Sequence, residues 1–257
     1  MTTKFYVAII LLFGSFAAQS QKIMSPDYIR MSEDFIYAAK ATGEADAYID
    51  SFAKADEGEL LRQLKTDKDK KAFFINLYNA YTQFILKKNP DKFQKRNSFF
   101  KAKQIDFAGH QISLDKMEHG FLRHSKVKWG LGYIGKVFPG KLEKKFRVDK
   151  VDYRIHFTLN CGATSCPAIA YYKAKELDQQ MDLATKTYLS EEAKYDKKKN
   201  VLELPALMNW FRGDFGGKKK EIKLIKKLKI IPNDANPKIK YKSYNWKLYL
   251  DNYKEDI

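Results

Sequence analysis

The fold is decided by residues 71–88, "KAFFINLYNAYTQFILKK". The charged run "DKDK" at 67–70 precedes this stretch and Asn89-Pro90 follows it, which are typical start and stop signals of a helix. Between them, apolar residues recur on nearly every side of a helix with 3.6 residues per turn. Because a helix that is apolar nearly all round is normally buried, the sequence predicts a central helix on which the other elements pack.

The flanking sequence predicts short helices and strands in irregular alternation. Helical spacing of apolar residues is found in "DYIRMSEDFIYAAK", in "EADAYIDSFA", at about 173–193 and in "IKLIKKL". Strands are predicted for "YRIHFTL", "VLEL" and a hairpin "QIDFAGHQISL" that turns near Ala108-Gly109-His110. The pattern indicates an α+β fold: a single domain with a small mixed or antiparallel sheet packed with helices around the buried central helix.

The N-terminus has the pattern of a secretory signal peptide. Lys4 precedes the apolar run "FYVAIILLFG" at 5–14, and the small and polar residues "SFAAQSQ" follow. We expect residues 1–20 to be removed and residues 21–257 to form the domain. No later apolar stretch has the length of a membrane-spanning helix, so the expected product is exported, to the periplasm or the extracellular space, with no transmembrane segment.

The chain is strongly basic, with a formal net charge of +17 at pH 7. Its lysines are spread along the sequence among acidic residues, which favours a solvated basic surface over a specific nucleic-acid groove. The sequence lacks zinc-finger, RNA-recognition and helix-turn-helix patterns. A weak interaction with an anionic polymer of the cell envelope, or with a membrane surface, fits an exported protein of this charge.

Both cysteines lie in "RIHFTLNCGATSCPAI", residues 154–169. A cysteine acts as a nucleophile in its thiolate form, which a nearby imidazole or helix N-terminus favours. His156 lies five residues before Cys161, and Asn160 could orient a base or bind an oxyanion. Cys166 precedes Pro167, which suits the first turn of a helix. The stretch therefore predicts a thiol-dependent site with Cys161 as the preferred nucleophile.

Two other interpretations of this stretch stay open. A disulfide between Cys161 and Cys166 is common in exported proteins, and a loop of this length can close it. Alternatively, His156, both cysteines and a distant histidine would make a tetrahedral zinc site, although the spacing is wider than in usual zinc knuckles. We expect no metal and no cofactor.

A second group of candidate residues lies in "SLDKMEHGFLR", where Ser113 can cap a helix. Asp115, His119 and Arg123 fall on one helix face because they are four residues apart. Asp115 could orient His119, and adjacent Glu118 carries a second carboxylate. A solvated helix surface is the alternative interpretation.

Buried amides and a late aromatic motif complete the candidates. Asn76 and Asn79 lie on the apolar helix, so at least one amide needs buried partners, either loop backbone or a ligand. The motif "NWFRGDF" at 209–215 is assigned to packing, with Asp214 as a possible partner for a motif arginine.

Five stretches together resemble the domain-of-unknown-function 547 family. They are "KAFFINLYNAYT", "ISLDKMEHGFLR", "YRIHFTLNCGATSCP", "LPALMNWFRGDF" and "SYNWKLYL", in the family's order over about residues 70–250. Related domains occur in intracellular plant proteins, where a structural disulfide would be reduced. The resemblance therefore favours thiol roles for the cysteines, and it supports Glu118, His119 and Arg123 as site residues.

These observations lead to a functional hypothesis with one alternative. The chain is expected to be a thiol-dependent hydrolase or transferase acting on acyl, amide or peptide-like bonds of a small or peptide-like substrate. The expected catalytic residues are Cys161, His156, His119, Glu118, Cys166 and Asn160, and the expected substrate-binding residues are Arg123, Asn76 and Asn79. Such an architecture would be weakly similar to papain-like or transglutaminase-like enzymes. The alternative is a non-catalytic binding or scaffold module of the envelope with a structural Cys161–Cys166 loop.

Overall fold

The computed structural model describes residues 25–41 and 44–254, so the expected signal peptide lies outside the described residues. Among the described residues, no helix is both long enough and apolar enough to cross a membrane. The α-helices are α1 Tyr28–Ala41, α2 Ala45–Ala53, α3 Glu57–Gln63, α4 Asp67–Lys88, α5 Arg96–Lys101, α6 Lys141–Phe146, α7 Leu177–Glu192, α8 Ala206–Trp210 and α9 Lys218–Lys227. The strands are β1 Ile105–Phe107, β2 His110–Ile112, β3 Lys194–Asp196, β4 Val201–Leu204 and β5 Lys238–Tyr241. Pro90–Lys95 and Tyr153–Phe157 form 3₁₀ turns, and Lys116–Leu122 forms a π-helix.

The predicted central helix is confirmed as α4. A capping box starts it: Thr66 Oγ1 accepts a hydrogen bond from the Asp69 backbone N–H, and the Asp69 carboxylate accepts one from the Thr66 N–H. The helix ends before Asn89. It is buried continuously from Lys71 to Gln83, and α1 packs along it. This helix is the element on which the main hydrophobic core is built.

Two small sheets confirm the α+β class. Strands β1 and β2 form the predicted antiparallel hairpin, whose two turn residues Ala108 and Gly109 have φ of 50° and 73°. The second sheet has the order β3-β4-β5, antiparallel in the first pair and parallel in the second. It covers a second apolar cluster that includes Phe157, Leu202 and Met208.

The strand predicted for "YRIHFTL" is wrong, because Tyr153–Phe157 is a 3₁₀ turn. The Asp152 carboxylate accepts a hydrogen bond from the Arg154 N–H at 3.1 Å and thereby caps the turn. Thr158 N–H donates to the Ile155 carbonyl within the same turn. The alternating pattern was misleading because His156 and Thr158, on its polar face, are buried as well.

The Asn79 side chain of α4 makes the hydrogen bonds to the backbone after this turn that a neighbouring strand would otherwise make. Its Nδ2 donates to the Thr158 carbonyl at 2.8 Å, and its Oδ1 accepts from the Asn160 N–H at 2.8 Å. All three residues are fully buried. The amide therefore satisfies two backbone groups that would otherwise be buried without partners.

Two further amides on the same face of α4 act in the same way. Asn76 donates to the Tyr172 carbonyl at 2.9 Å and accepts from the Tyr172 N–H at 2.8 Å. Gln83 accepts from the Asp251 N–H at 3.1 Å. The spacing of three and four residues places Asn76, Asn79 and Gln83 in one row, which we call the amide row.

Replacing Asn79 tests this role. Asn79→Leu should lower the free energy of unfolding by about 1–3 kcal/mol, because it leaves a buried carbonyl and a buried N–H without partners. Chemical denaturation measures the change. Asn97→Leu, at an exposed position on α5, is the control and should change stability by no more than about 0.5 kcal/mol. Equal effects of the two substitutions would contradict the assignment.

Candidate functional site

A cavity of about 620 Å³ opens beside residues 158–167, which we call the thiol loop. The π-helix and α4 contribute polar side chains to the cavity wall, and α8 and the C-terminal segment contribute aromatic ones. The polar and sulfur groups in the wall include Tyr78, Asp115, Glu118, His119, His156 and Cys161, and residues 94–98 and Lys128 add further polar side chains. The aromatic side chains include Phe100, Trp129, Trp210, Phe211, Tyr244 and Trp246. A concave pocket that combines aromatic walls with convergent polar groups is typical of a small-molecule site.

The two cysteines are free thiols that share one hydroxyl. Tyr244 Oη lies 3.3 Å from Cys161 Sγ and 3.1 Å from Cys166 Sγ. Cys166 Sγ also accepts the backbone N–H of Cys161 at 3.0 Å and that of Ala163 at 3.4 Å. Three donors therefore surround the buried sulfur of Cys166, whereas Cys161 is half-buried at the cavity wall.

These contacts separate the two thiols electrostatically. Burial alone would raise the pKa of Cys166, but hydrogen bonds from the Cys161 thiol, Tyr244 and the two backbone N–H groups lower it below its ordinary value. The same thiol–thiol hydrogen bond, together with burial, raises the pKa of Cys161 well above its ordinary value. Within the pair, Cys161 therefore holds its proton more tightly than Cys166 does, and Cys166 is the sulfur that ionises first.

The π-helix presents His119 to the cavity as a neutral donor. Its N-terminus is capped by Ser113, as predicted, through a hydrogen bond from Lys116 N–H to Ser113 Oγ at 3.1 Å. Arg123 Nη1 lies 2.9 Å from His119 Nδ1. A guanidinium can only donate, so Nδ1 accepts and the ring proton is on Nε2. Burial lowers the pKa of His119 to about 3, with a further contribution from Arg123.

Nε2 of His119 is buried and has no hydrogen-bond partner among the described residues. Asp115 Oδ1 lies 3.7 Å from this nitrogen, and Lys128 binds that carboxylate at 3.0 Å. Glu118 Oε1 lies 3.5 Å from Nδ1, and Glu118 Oε2 accepts from Tyr78 at 3.4 Å. The Nε2–H group is therefore an unused donor in the cavity wall.

A single buried carboxylate, Asp214, joins the two halves of the site. Its Oδ2 accepts from Arg123 Nε at 2.7 Å and from His156 Nε2 at 2.9 Å. Burial would raise the pKa of Asp214, but His156 and Arg123 lower it, so the carboxylate is ionised. The pKa of His156 is lowered by burial, against the opposing effect of Asp214. His156 is therefore neutral, donates from Nε2 and keeps a lone pair on Nδ1.

The Phe211 ring packs against two members of this network, His156 and Arg123. The His156 ring stacks on it at 4.0 Å between centroids and 7° between planes. The Arg123 guanidinium lies over the same ring, 4.4 Å from its centroid. For the motif "NWFRGDF" the sequence predicts packing, with Asp214 as a possible partner for an arginine, and Phe215 is indeed a core residue. Trp210 and Phe211, however, are part of the cavity wall.

The predicted site residues divide into three groups. Glu118, His119, His156 and Cys161 line one cavity. Cys166 lies behind them, on a second cavity of about 260 Å³. The others are committed to the protein itself: Arg123 binds His119 and Asp214, and Asn76, Asn79 and Asn160 bind loop backbone. For the two helix amides, the structure favours the loop-backbone alternative.

Asn160 is turned inward as well. Its Nδ2 donates to the Pro167 carbonyl at 2.7 Å, and its Oδ1 accepts from the Gly162 N–H at 2.9 Å. Asn160 therefore closes the thiol loop between its two ends. In this position the amide shapes the loop and does not point into the cavity.

Among residues 25–41 and 44–254, no group of three or more His, Cys, Asp and Glu side chains is arranged to hold a metal ion. The zinc set of His156 and the two cysteines is thus not assembled. His156 is instead bound to Asp214, and the cysteines are bound to Tyr244.

Sequence reasoning missed Tyr244 and the aromatic wall. Tyr244 lies in the "SYNWKLYL" motif, more than 75 residues from both cysteines. The motif was recognised by resemblance, but nothing local in it points to sulfur. The rings of Trp210 and Trp246 stack beside Tyr244, with their centroids 5.6 Å apart and their planes at 16°.

The family model of the protein of unknown function DUF547 matches residues 61–189. The chain belongs to this family. The matched segment contains α4, the π-helix and the thiol loop, whereas Asp214, Phe211 and Tyr244 come from the sequence after it. No curated protein and no solved structure gave a significant match. The likeness to papain-like or transglutaminase-like architecture therefore stays a prediction.

The state of His119 can be measured by side-chain ¹⁵N NMR. We expect a neutral Nε2–H ring that does not titrate above about pH 4, because the pKa is lowered to about 3. His119→Gln identifies the signal by its loss.

The same shift makes stability depend on pH. Between the folded pKa of about 3 and the ordinary value of 6.5, the unfolded chain binds a proton that folded His119 does not. The contribution of His119 to stability therefore decreases as the pH falls through this range. An imidazolium signal from His119 at about pH 6 would contradict the assignment.

Proposed function

We propose that the cavity is the active site of a thiol-dependent hydrolase or transferase that acts on acyl, amide or peptide-like bonds. The observation that carries the proposal is the convergence of two groups on one cavity. One is the Cys161 thiol, which lies beside the Cys166 sulfur that Tyr244 and two backbone N–H groups contact and whose pKa they lower. The other is the unused Nε2–H donor of His119.

In the first step Cys161 Sγ attacks the carbonyl carbon of the substrate. Its proton passes to Cys166, which acts as the general base in place of an imidazole. The carbonyl π electrons move to oxygen, and His119 Nε2–H donates a hydrogen bond to this oxyanion. A neutral histidine whose other nitrogen is held by Arg123 suits this role because it cannot remove a proton through Nδ1.

In the second step the tetrahedral intermediate collapses. The bond from the carbonyl carbon to the leaving group breaks, the leaving group takes the proton from Cys166, and a thioester remains on Cys161. Water or an acceptor nucleophile then attacks the thioester, and the lone pair on His156 Nδ1 takes its proton. Cys161 leaves as thiolate and recovers a proton from His156. Asp214 keeps His156 oriented throughout.

The wall of the cavity favours a substrate with a planar or apolar part and a negative group. Trp210, Tyr244 and Trp246 form one aromatic side of the cavity. Lys95, Arg96 and Lys128 lie around it, and the Arg96 guanidinium is 4.8 Å from the centroid of the Trp246 ring. This combination suits stacking together with charge pairing.

A binding module without catalysis is the second candidate. One observation favours it: Cys166 Sγ accepts two backbone N–H groups of its own loop, so the sulfur also stabilises the loop. In that case the cavity would hold a ligand, and neither cysteine would react selectively.

p-Nitrophenyl acetate separates the two candidates. The enzyme hypothesis predicts one acetyl group on Cys161, located by peptide mass spectrometry, with release of one equivalent of p-nitrophenolate. Cys161→Ser should abolish the fast phase, and Cys166→Ala should slow it about 100-fold because the base is lost. Acetylation of lysines alone, or an unchanged rate in Cys166→Ala, would contradict the mechanism. The same reagent on the unfolded protein gives the intrinsic rate.

We also propose that the protein is exported to the periplasm or the extracellular space. The support is the order of Lys4, the apolar run at 5–14 and the small-polar stretch after it. Exported cysteines can be oxidised, so the free thiols of the proposed mechanism require a reducing partner or a protected loop.

Intact-mass measurement of protein from the exported fraction of a Gram-negative host tests this proposal. The expected chain begins near Gln21. A mass that still includes "FYVAIILLFG" would contradict cleavage, and recovery of the protein only from the cytoplasm would contradict export.

A further inference from the structure

Residues 126–138, which we call the 126–138 loop, expose apolar side chains to an unusual degree. Trp129, Val137 and Phe138 are 75%, 82% and 92% exposed. Leu131, Tyr133 and Ile134 in the same loop are also exposed. Six of the nine exposed large hydrophobic residues of the described chain therefore lie in this one loop. Such a cluster marks an interaction surface, whereas scattered single residues would not.

The loop is held rigidly in this form. Val127 N–H donates to the Ile134 carbonyl at 3.0 Å, and Lys136 N–H donates to the Ser125 carbonyl at 2.7 Å. Gly213 N–H donates to the Leu131 carbonyl at 2.7 Å, which ties the loop to the segment that carries Asp214.

Two glycines make this attachment possible. A Cβ on Gly213 would lie 2.5 Å from the backbone carbon of Gly132, and a Cβ on Gly132 would lie 2.7 Å from the Asp214 nitrogen. Gly132 also has a φ of 81°. The close backbone contact fixes the loop, so its apolar side chains are held outward and do not fold back onto the protein.

The sequence around the loop is strongly basic, although Lys128, Lys136 and Lys145 are paired with Asp115, Glu143 and Glu57. Between residues 124 and 146 the sequence contains six lysines and a single acidic residue, Glu143. That carboxylate is 1% exposed and is bound by Lys116 and Lys136. Lys126, Lys141 and Lys144 have no carboxylate partner among the described residues. Lysines without a carboxylate partner therefore flank the exposed aromatic and aliphatic groups in the sequence, and we call these three lysines the charge ring.

We infer that the 126–138 loop docks on the surface of a membrane that contains anionic phospholipid. Aromatic and aliphatic side chains partition into the interfacial region of a bilayer, and each nearby lysine adds attraction to anionic headgroups. The charge ring selects this partner because an apolar protein surface would not require it. Lys128, Trp129 and Leu131 belong both to the loop and to the cavity wall, so docking would bring the cavity mouth to the membrane.

This inference does not depend on the chemistry of the thiols. It concerns a surface whose residues make no contact with either sulfur in the hydrogen-bond network described above. Vesicle binding and Cys161 acetylation can therefore succeed or fail separately.

Vesicle sedimentation provides the test. Wild-type protein should bind phosphatidylcholine vesicles that contain phosphatidylglycerol, and its affinity for pure phosphatidylcholine vesicles should be lower. Added salt should weaken the binding to the anionic vesicles. The double variant Val137→Ser/Phe138→Ser should bind about tenfold more weakly or worse. The control Leu183→Ser/Tyr249→Ser changes two exposed apolar residues outside the loop and should bind like wild type. All variants carry the same N-terminus, so its contribution cancels in the comparison.

Trp129 gives an independent readout. Brominated phosphatidylglycerol should quench the tryptophan fluorescence of the wild type, and Trp129→Leu should lose most of this quenching while it still binds. Failure of the wild type to bind, or equal binding by the loop variant, would overturn the inference. So would a wild-type dimer in sedimentation velocity that Val137→Ser/Phe138→Ser converts to monomer, because the surface would then be an interface between two copies.

Discussion

The structure of the site depends on the amide row of α4. Asn76, Asn79 and Gln83 hold backbone groups of three chain segments that belong to neither sheet. Because the row is fully buried, each of these hydrogen bonds replaces a water contact that is not available. The thiol loop therefore has a fixed shape without strand pairing. That shape aims the N–H groups of Cys161 and Ala163 at the sulfur of Cys166.

Burial also determines which groups of the site carry a charge. The ionised Asp214 is compensated by Arg123, so both histidines stay neutral and serve as donors or lone-pair carriers. Tyr244 and backbone N–H groups lower the pKa of Cys166, so in our account the negative charge used for chemistry forms on this sulfur. The sequence suggested that an imidazolium would activate the thiol, but the largest effects on the pKa of each cysteine come from burial, the other cysteine, Tyr244 and backbone N–H groups. The activating group in our account is the second cysteine.

The sequence predicted the elements whose signals are local. The apolar run of α4 with the charged residues before it, the Ala108-Gly109 turn and the cap at Ser113 are all encoded within a few residues. The arginine–Asp214 contact followed from charge pairing between two motifs. "YRIHFTL" was misread because its polar face is buried by residues distant in sequence, Asn79 and Asp214. Tyr244 was missed because its contact with the two sulfurs exists only in the tertiary structure.

The central claim is that Cys166 ionises before Cys161, and the pH dependence of Cys161 alkylation tests it most directly. Iodoacetamide labelling of Cys161, resolved by site with mass spectrometry, should rise in the wild type with a midpoint above the value of about 8.5 for a free cysteine, because Cys166 and burial raise its pKa. In Cys166→Ala the midpoint should fall, since the partner that raises the pKa of Cys161 is gone. His119→Gln should leave the midpoint as high as in the wild type. A midpoint that stays unchanged or rises in Cys166→Ala, or that falls equally in His119→Gln, would contradict the account.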